Sequence, residues 1–457
     1  MTTVATLTLW CFLTATNPAE TAADGGVAPP PVASPAPSGD AELRARLDQA
    51  LELLQKHEAE LEALRKAKTP PPPPPSTTAA PAAPASSHWY ERIKLRGYTQ
   101  VRYNAPGVVY NDKLINDQGD KSMGGNGGFF IRRARLILMG DLHPRVSFYF
   151  QPDFASSIGE QLNVTIIRDL YVDVYLDEKK DFRVRIGQSK VPFGFENMQS
   201  SSNRMPLDRN DPLNSAVKDE RDIGVFLYWT PAVARERFKM FVDANLKGSG
   251  DYGVFALGVY NGQTANKIEL NKFPHVVARA TYPFAIGDQF LELGVAGHYG
   301  LYTVTLGNLP DGTKAGSARS DNTFTDARGA VTAVLYPKPF GVMFEYNVGV
   351  GPQLGTSNLV NTDLLYGGYA TLSYKIDEPF GTVSLIPFVR GSMYDGGKKF
   401  FTNAPRYHIR EVELGVEWQI FKAFEVTLAY NISERTSDKT YRQEYGHWTR
   451  IQAQFNY

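Results

Sequence analysis

From Trp89 to the end of the chain, apolar and polar residues alternate in segments of about ten residues, separated by turn signals. Residues 183–187 show the pattern: Val184 and Ile186 fall on one face, and Arg183 and Arg185 fall on the other. Such segments predict an all-β chain. The predicted strands are Arg92–Asn104, Gly128–Gly140, Val146–Phe154, Ile166–Asp177, Asp181–Lys190, Asp222–Trp229, Tyr252–Asn261, Val276–Phe284, Phe290–Tyr302, Ala327–Tyr336, Phe340–Val350, Leu365–Lys375, Gly381–Tyr394, His408–Gln419, Phe424–Ser433 and His447–Tyr457.

The connections between these strands alternate in length. Short turns such as DLHP, DEKK and DEP follow one end of the strands, and long loops follow the other end. This alternation is typical of antiparallel barrels in bacterial outer membranes, whose two chain ends lie in the periplasm. An even number of strands is then required, and sixteen satisfies it. Pro231–Gly248 does not fit a strand, so we predict a helical or turn insertion on the periplasmic side.

The alternation also assigns faces to the strands. In the first strand, Leu95 and Val101 face lipid, which leaves Lys94, Arg96 and Arg102 for the lumen. The inward face also receives acids and apolar residues, namely Asp153, Asp169, Asp173, Glu411, Glu413, Glu417, Ile137 and Met139. The candidate pore-lining and anion-binding residues are Lys94, Arg96, Arg102, Arg133, Arg135, Arg183, Arg185, Lys190, Arg204 and Arg209.

A long loop leaves the fifth predicted strand through Pro192 and Gly194, residues that do not belong in a central strand. It runs from about Val191 to Arg221 and carries several basic side chains. Two interpretations are open from its composition. The loop folds inward and narrows a pore, or it is a mobile surface loop.

The first 87 residues differ in composition from the rest. We predict a signal peptide over 1–23, a disordered stretch over 24–39, a coiled coil over 40–68 and a Pro/Ala-rich linker over 69–87, with the barrel over 88–457. Leu47, Leu54 and Leu61 recur at seven-residue spacing, which is typical of a coiled coil. We expect this helix to act as an oligomerisation stalk in the periplasm.

Charge and cysteine content limit the possible functions. The formal net charge is zero, and residues 88–457 carry 42 Lys/Arg against 39 Asp/Glu, so no strongly basic field indicates nucleic acid. Cys11 is the single cysteine, which excludes a disulfide framework. No run of eighteen apolar residues predicts a membrane-spanning helix, so a membrane protein of this sequence requires a closed barrel.

Three stretches resemble one family of outer-membrane proteins. GQSKVPFGFENMQSSSNRMPLDR followed by ERDIGV resembles the signature region of the phosphate-selective porin O/P family. FFIRRARLILMGDLHPRVSFYFQPDF and FALGVYNGQ resemble two further parts of it, in the same order. The resemblance implies a sixteen-stranded, trimeric barrel in the outer membrane of a Gram-negative cell that passes anions. It also implies an arginine ladder and an inward loop that bears a lysine.

The interpretation that follows is a passive porin for phosphate, polyphosphate or other small anions, embedded in outer-membrane lipid. Arg forks attract anions and match two phosphate oxygens. The alternative for each arginine is that it pairs with a neighbouring carboxylate and fills a solvated wall. A general diffusion porin and a structural envelope tether, with the coiled coil on peptidoglycan or another partner, also remain open.

We predict neither an enzyme nor a cofactor. No G-x-S-x-G motif occurs, and the barrel histidines are scattered without metal-ligand spacing.

Overall fold

The structure is a computed structural model, and it describes residues 48–49, 51–60, 88–109, 127–158, 161–217, 221–437 and 442–457. Residues 51–60 are helical, and the chain divides into two units between Pro84 and Ala85. The predicted signal peptide, disordered stretch and linker lie outside the described residues, as does most of the predicted coiled coil. Among the helices of the described ranges, none is long and apolar enough to cross a membrane.

Sixteen long antiparallel strands form one closed sheet, which confirms the predicted fold class. Each strand pairs with the next in sequence, and the first pairs with the last from Tyr98–Asn456 to Val109–Gly446. In chain order, the strands are β1 Ile93–Val109, β2 Gly128–His143, β3 Val146–Ile158, β4 Gln161–Tyr175, β5 Phe182–Lys190, β6 Arg221–Trp229, β7 Phe255–Tyr260, β8 His275–Ile286, β9 Gln289–Thr303, β10 Thr323–Leu335, β11 Phe340–Leu354, β12 Leu359–Tyr374, β13 Ser384–Gly397, β14 Arg406–Phe421, β15 Phe424–Ser437 and β16 Arg442–Asn456.

The two faces of the barrel have opposite chemistry, as the alternation predicts. Side chains on the outer face are apolar and exposed; Leu95 and Ile186 keep 63% and 52% of their surface. Such a surface suits lipid, because an apolar band on the outside costs nothing in a hydrocarbon environment. Inward residues of the same strands, such as Gln100 and Arg185, are buried and polar.

Two helices lie in the connections between strands. Helix α1, Asp211–Ala216, belongs to the loop between β5 and β6, and Asn210 caps it by accepting from the Leu213 N–H. Helix α2, Ala232–Asp243, follows β6 on the edge that carries the short turns. Pro231 stands before its first turn, where the missing N–H costs no hydrogen bond. The predicted insertion at 231–248 is therefore helical.

Helix α2 packs against the inner wall of the barrel. Its residues Phe238 and Phe241 are fully buried, and the Phe241 ring stacks on Tyr336 with centroids 3.9 Å apart. Phe195 from the loop after β5 and Phe388 from β13 belong to the same apolar cluster. This hydrophobic cluster thus lies inside the barrel, between α2, the loop and the strands β10–β13.

Candidate functional site

The segment 191–217 lies inside the barrel and contacts the wall opposite its own strands. We call this segment the inward loop. The backbone N–H groups of Phe195 and Glu196 donate to Glu345 Oε2 on β11 at 2.9 and 3.1 Å. Arg390 on β13 donates to Glu196 Oε1 at 2.9 Å. Because β11 and β13 stand far around the sheet from β5, the loop crosses the interior.

Asp208 is the carboxylate of the inward loop that meets the most arginines. Its Oδ2 accepts from Arg102 on β1 at 2.8 Å and from Arg450 on β16 at 2.6 Å. Its Oδ1 accepts from Arg132 on β2 at 3.3 Å. Burial raises the pKa of the Asp208 carboxyl, but the three guanidinium groups outweigh that effect and hold the pKa well below its usual range. Asp208 is therefore ionised and ties the loop to three strands around the seam of the barrel.

Lys190 at the end of β5 and two arginines of the inward loop donate hydrogen bonds to the backbone of that loop. Lys190 Nζ donates to the carbonyls of Met198 and Gln199 at 2.8 and 2.7 Å. Arg209 donates to the Gln199 carbonyl at 3.0 Å, and Arg204 donates to the Leu207 carbonyl at 3.0 Å. These three candidates stabilise the loop conformation, because they donate to backbone carbonyls that are not paired in a β-sheet.

Three candidate arginines of the wall are paired with carboxylates. Arg135 meets Asp153 at 2.7 Å. Arg185 holds Asp173 with two bonds of 2.7 and 2.8 Å, and its guanidinium lies 3.7 Å from the Tyr171 ring centroid. Arg183 reaches Asp251 Oδ2 at 2.6 Å. In each case the charge is compensated within the wall, as the carboxylate alternative anticipates.

Arg133 differs from its neighbours, because within the described part of the chain its hydrogen bond goes to a neutral group, Gln100 Oε1, at 2.7 Å. Among the described residues, no carboxylate oxygen lies within 4.0 Å of it, and its Nε has no hydrogen-bond partner. Arg132, Arg135 and Arg204 are near enough to act on it electrostatically. A buried guanidinium among other guanidinium groups, held only by an amide, is suited to contact an anion.

A β-bulge gives Arg133 its neighbour Arg132. Gln100 pairs with Arg133, whereas the next residue, Val101, pairs with Ile131, so Arg132 is the extra residue. Such an insertion breaks the alternation and turns two consecutive side chains toward one face. Strict alternation places Arg132 on the lipid face, and for that reason Arg132 is not among the candidates predicted from the sequence.

The remaining candidates stand apart from this group. Lys94 and Arg96 lie in the first half of β1 and are exposed. Arg96 shares the inward face of Tyr98, since their β2 partners are Ile137 and Arg135. The side chains of Lys94 and Arg96 therefore line the end of the barrel that carries the short turns.

The interior also contains a charged group whose residues are not among the candidates predicted from the sequence. Arg328 and Asp326 on β10 lie beside His298 on β9, His275 on β8 and Lys399, which follows β13. The prediction of scattered histidines holds along the sequence. In the fold, however, His275 and His298 stack with ring centroids 6.0 Å apart. Only the register of three strands brings them together, so spacing alone could not show it.

Comparison with known proteins decides the family. The profile of phosphate-selective porin O and P matches residues 108–457, which is most of the chain. The chain belongs to the phosphate-selective porin O and P family. It is an outer-membrane porin by that membership. A search of curated proteins gave no match.

Several solved structures are similar to this chain. The outer-membrane channel DcaP of Acinetobacter baumannii is similar with a TM-score of 0.50 and 13% identity, over 80% of this chain and 97% of that one. An anion-selective porin from Comamonas acidovorans gives a TM-score of 0.46 and 13% identity, over 79% and 99% of the two chains. OmpT of Vibrio cholerae in its trimer form gives 0.47 and 10%, over 80% and 99%. For this porin, the likeness to DcaP concerns the barrel fold alone.

Proposed function

We propose that this porin passes small anions of the phosphate class by passive diffusion, and that Arg133 forms the main anion contact. The observation that carries the proposal is the Arg133 guanidinium, which is buried, bonded to the neutral amide of Gln100 and surrounded by other arginines. The matching family and the name of the Comamonas acidovorans neighbour support the same solute class.

The inward loop narrows the lumen in this proposal. It places Asp208 opposite Arg102, Arg132 and Arg450, and so brings β2 and the loop close together. A solute that passes Arg133 must move between these two surfaces. Because no carboxylate oxygen of the described residues lies within 4.0 Å of Arg133, it can bind a phosphate oxygen and release it without first breaking an ion pair.

Selectivity in this proposal is moderate. Arg135, Arg183 and Arg185 are each neutralised by a carboxylate, so they contribute little field to a passing anion. This pairing favours a second candidate function, a general diffusion porin of low selectivity. The two candidates differ in a single quantity, the preference of the open channel for anions over cations.

The deciding measurement is the reversal potential of the purified porin in a planar bilayer under a potassium chloride gradient, repeated with added phosphate. We expect anion preference and block by millimolar phosphate. Arg133→Gln should lower the anion-to-cation permeability ratio about three- to tenfold, because one guanidinium leaves a low-dielectric passage.

Arg145→Gln is the matched control, since Arg145 lies in the turn between β2 and β3 with about half of its side chain exposed. It should leave both readouts unchanged. A wild-type channel without anion preference and without phosphate block would favour the general diffusion porin. Equal effects of the two substitutions would remove Arg133 from the anion path.

The assembly remains part of the proposal. We propose a homotrimer in outer-membrane lipid, with the residues of the predicted coiled coil in the periplasm. The exposed helix at 51–60 supports a stalk, because Leu51 and Leu54 keep half or more of their surface and suit a partner helix. Cross-linking of the purified protein, with and without residues 40–68, tests whether the stalk contributes to the oligomer.

A further inference from the structure

The group around Arg328 lies on the wall opposite Arg133. Strand β10 carries Arg328 and strand β2 carries Arg133, and they are eight places apart in a closed sheet of sixteen. Phe193 of the inward loop covers this group, with its ring edge 5.0 Å from the His298 ring centroid. The group is thus a buried part of the interior, separate from the Arg133 contact.

Two guanidinium nitrogens of Arg328 have no hydrogen-bond partner among the residues the structure describes. Its Nε donates to Asp326 Oδ1 at 2.8 Å, which leaves Nη1 and Nη2. The Arg328 and Asp326 side chains have no exposed surface. Buried donors normally find a partner, because an unmet one costs about 1–3 kcal/mol. Their orientation therefore points to a ligand with acceptor atoms.

The neighbouring side chains add further donors. Lys399 forms an ion pair with the other oxygen of Asp326. Neither ring nitrogen of His298 has a hydrogen-bond partner within the described ranges, and this side chain is fully buried. His275 turns its Nε2 to the Leu301 carbonyl at 3.2 Å.

The chain makes room for this arrangement with a glycine. A Cβ at Gly351 on β11 would lie 3.2 Å from Arg328 Nη2 and 3.1 Å from Asp326 Oδ1, closer than an ordinary contact. Glycine therefore lets the β11 backbone pass the guanidinium without displacing it.

A divalent metal fits this group poorly, although two histidines and one carboxylate come within 4.8 Å of one another. Asp326 is already shared by two cations, Arg328 and Lys399. A metal ion bound to Asp326 would have to displace Arg328 or Lys399 from the carboxylate. It would still lie close to both positive charges. The balance of one carboxylate against the two cations Arg328 and Lys399 favours an anion.

We propose that Arg328, Lys399 and His298 form a second anion site, which takes a protonated tetrahedral oxoanion such as hydrogen phosphate. The Arg328 fork binds two oxygens of the anion. Asp326 selects the protonated form, because each carboxylate oxygen keeps an acceptor position that a P–OH group can fill. Sulfate carries no proton at neutral pH and would meet the carboxylate with a bare oxygen. How the anion reaches the site rests on the proposed porin function.

The test is equilibrium dialysis of the purified full-length porin with radiolabelled phosphate. We expect two binding equivalents per chain. Arg328→Gln should remove one of them, by weakening that site at least about tenfold. Arg133→Gln should remove the other, and the double variant should bind none. If the wild-type porin binds one equivalent, and Arg328→Gln removes it while Arg133→Gln does not, the result would contradict the proposed function of Arg133. It would still support the site at Arg328.

Two further measurements test whether the site prefers phosphate to sulfate. In the Arg133→Gln protein, sulfate should compete at least about tenfold more weakly than phosphate, because Asp326 repels it. Asp326→Asn should reduce that preference; should this variant fail to fold, the competition in the Arg133→Gln protein stands alone. Arg319→Gln, at an exposed loop residue, is the control and should change nothing.

The proposal fails if Arg328→Gln keeps both equivalents or if sulfate competes as well as phosphate. It also fails if one equivalent of zinc binds, is lost in His298→Ala, and excludes phosphate from the site. Migration of unheated samples in gel electrophoresis verifies that each variant has a folded barrel.

Discussion

Two groups of arginines on the inner wall have the same sequence pattern and different surroundings. On β5, Arg183 and Arg185 alternate with apolar residues, and each meets a carboxylate within 3 Å. On β2, Arg133 and Arg135 alternate in the same way, yet only Arg135 meets one. Pairing thus separates arginines that hold the wall together from an arginine available to a solute. The number of arginines on the inner face does not reveal this difference.

The largest effect should come from the carboxylate that joins the inward loop to the wall. Asp208→Asn removes the carboxylate charge that Arg102, Arg132 and Arg450 share, and the side chains of Arg102 and Arg450 have no exposed surface. Because losing one partner of a buried ion pair is strongly destabilising, we expect the free energy of unfolding to fall by about 3–5 kcal/mol. Urea unfolding in detergent micelles, followed by tryptophan fluorescence, measures it.

Asp321→Asn provides the comparison for this change, because Asp321 is mostly exposed in the loop before β10. Its effect should stay within about 0.5 kcal/mol. Equal unfolding curves for both variants would mean that Asp208 does not anchor the loop.

The second-largest effect should come from an arginine that is paired with a carboxylate. Arg185→Ala leaves Asp173 without its two-bond partner and removes the contact with Tyr171. We expect a loss of about 3 kcal/mol in the free energy of unfolding, with the anion-to-cation permeability ratio unchanged within about twofold. A large drop in that ratio with stability retained would show that paired arginines also attract the solute.

A smaller effect should distinguish charge from shape at the unpaired arginine. Arg133→Lys keeps the positive charge but loses the planar fork that matches two oxygens. We expect the preference for anions over cations to remain, while block by phosphate weakens about threefold. Single-channel recording over a series of phosphate concentrations gives both values. Stronger block in this variant would contradict fork recognition.

The smallest effect should appear as pH rises. Burial lowers the pKa of the Lys399 ammonium to about 8, against the raising effect of Asp326, so its charge is present below pH 8 and is lost above it. Phosphate binding at the Arg328 site should therefore fall about three- to tenfold between pH 7 and pH 9, relative to binding at Arg133. The groups that surround Lys399 are Asp326, Arg328, His298, His275 and Asp222.

Dialysis of Arg133→Gln and Arg328→Gln side by side measures this ratio, because the titration of phosphate itself is common to both proteins. A constant ratio across the pH range would mean that Lys399 contributes no charge to the site.

Much of this architecture could be predicted from the sequence. Alternation gave the sixteen strands and their faces, and loop length gave the orientation of the connections. The pair of Arg185 and Asp173 was also within reach, since the two residues lie directly opposite on β5 and β4. Local patterns suffice wherever neighbouring strands supply both partners.

Other parts of the site depend on contacts between distant segments. Asp208 meets Arg450 from 242 residues away, and Lys398 meets Asp211 across the lumen from 187 residues away. Nothing local in the sequence indicates these partners. The group around Arg328 depends on the register of three strands and the course of two loops. Sequence patterns therefore predicted the strands of the barrel wall. They did not predict the ion pairs that decide which arginines can contact a solute.

The bulge at Arg132 also suggests how such a channel could change over generations. A single inserted codon at this place adds a charge to the lumen and leaves both flanks of β2 in their pairing with β1. Its deletion would remove that charge as simply. Insertion or deletion at this position therefore keeps the pairing of the two strands intact. Substitution of a paired arginine such as Arg185 instead leaves the facing acid without its partner.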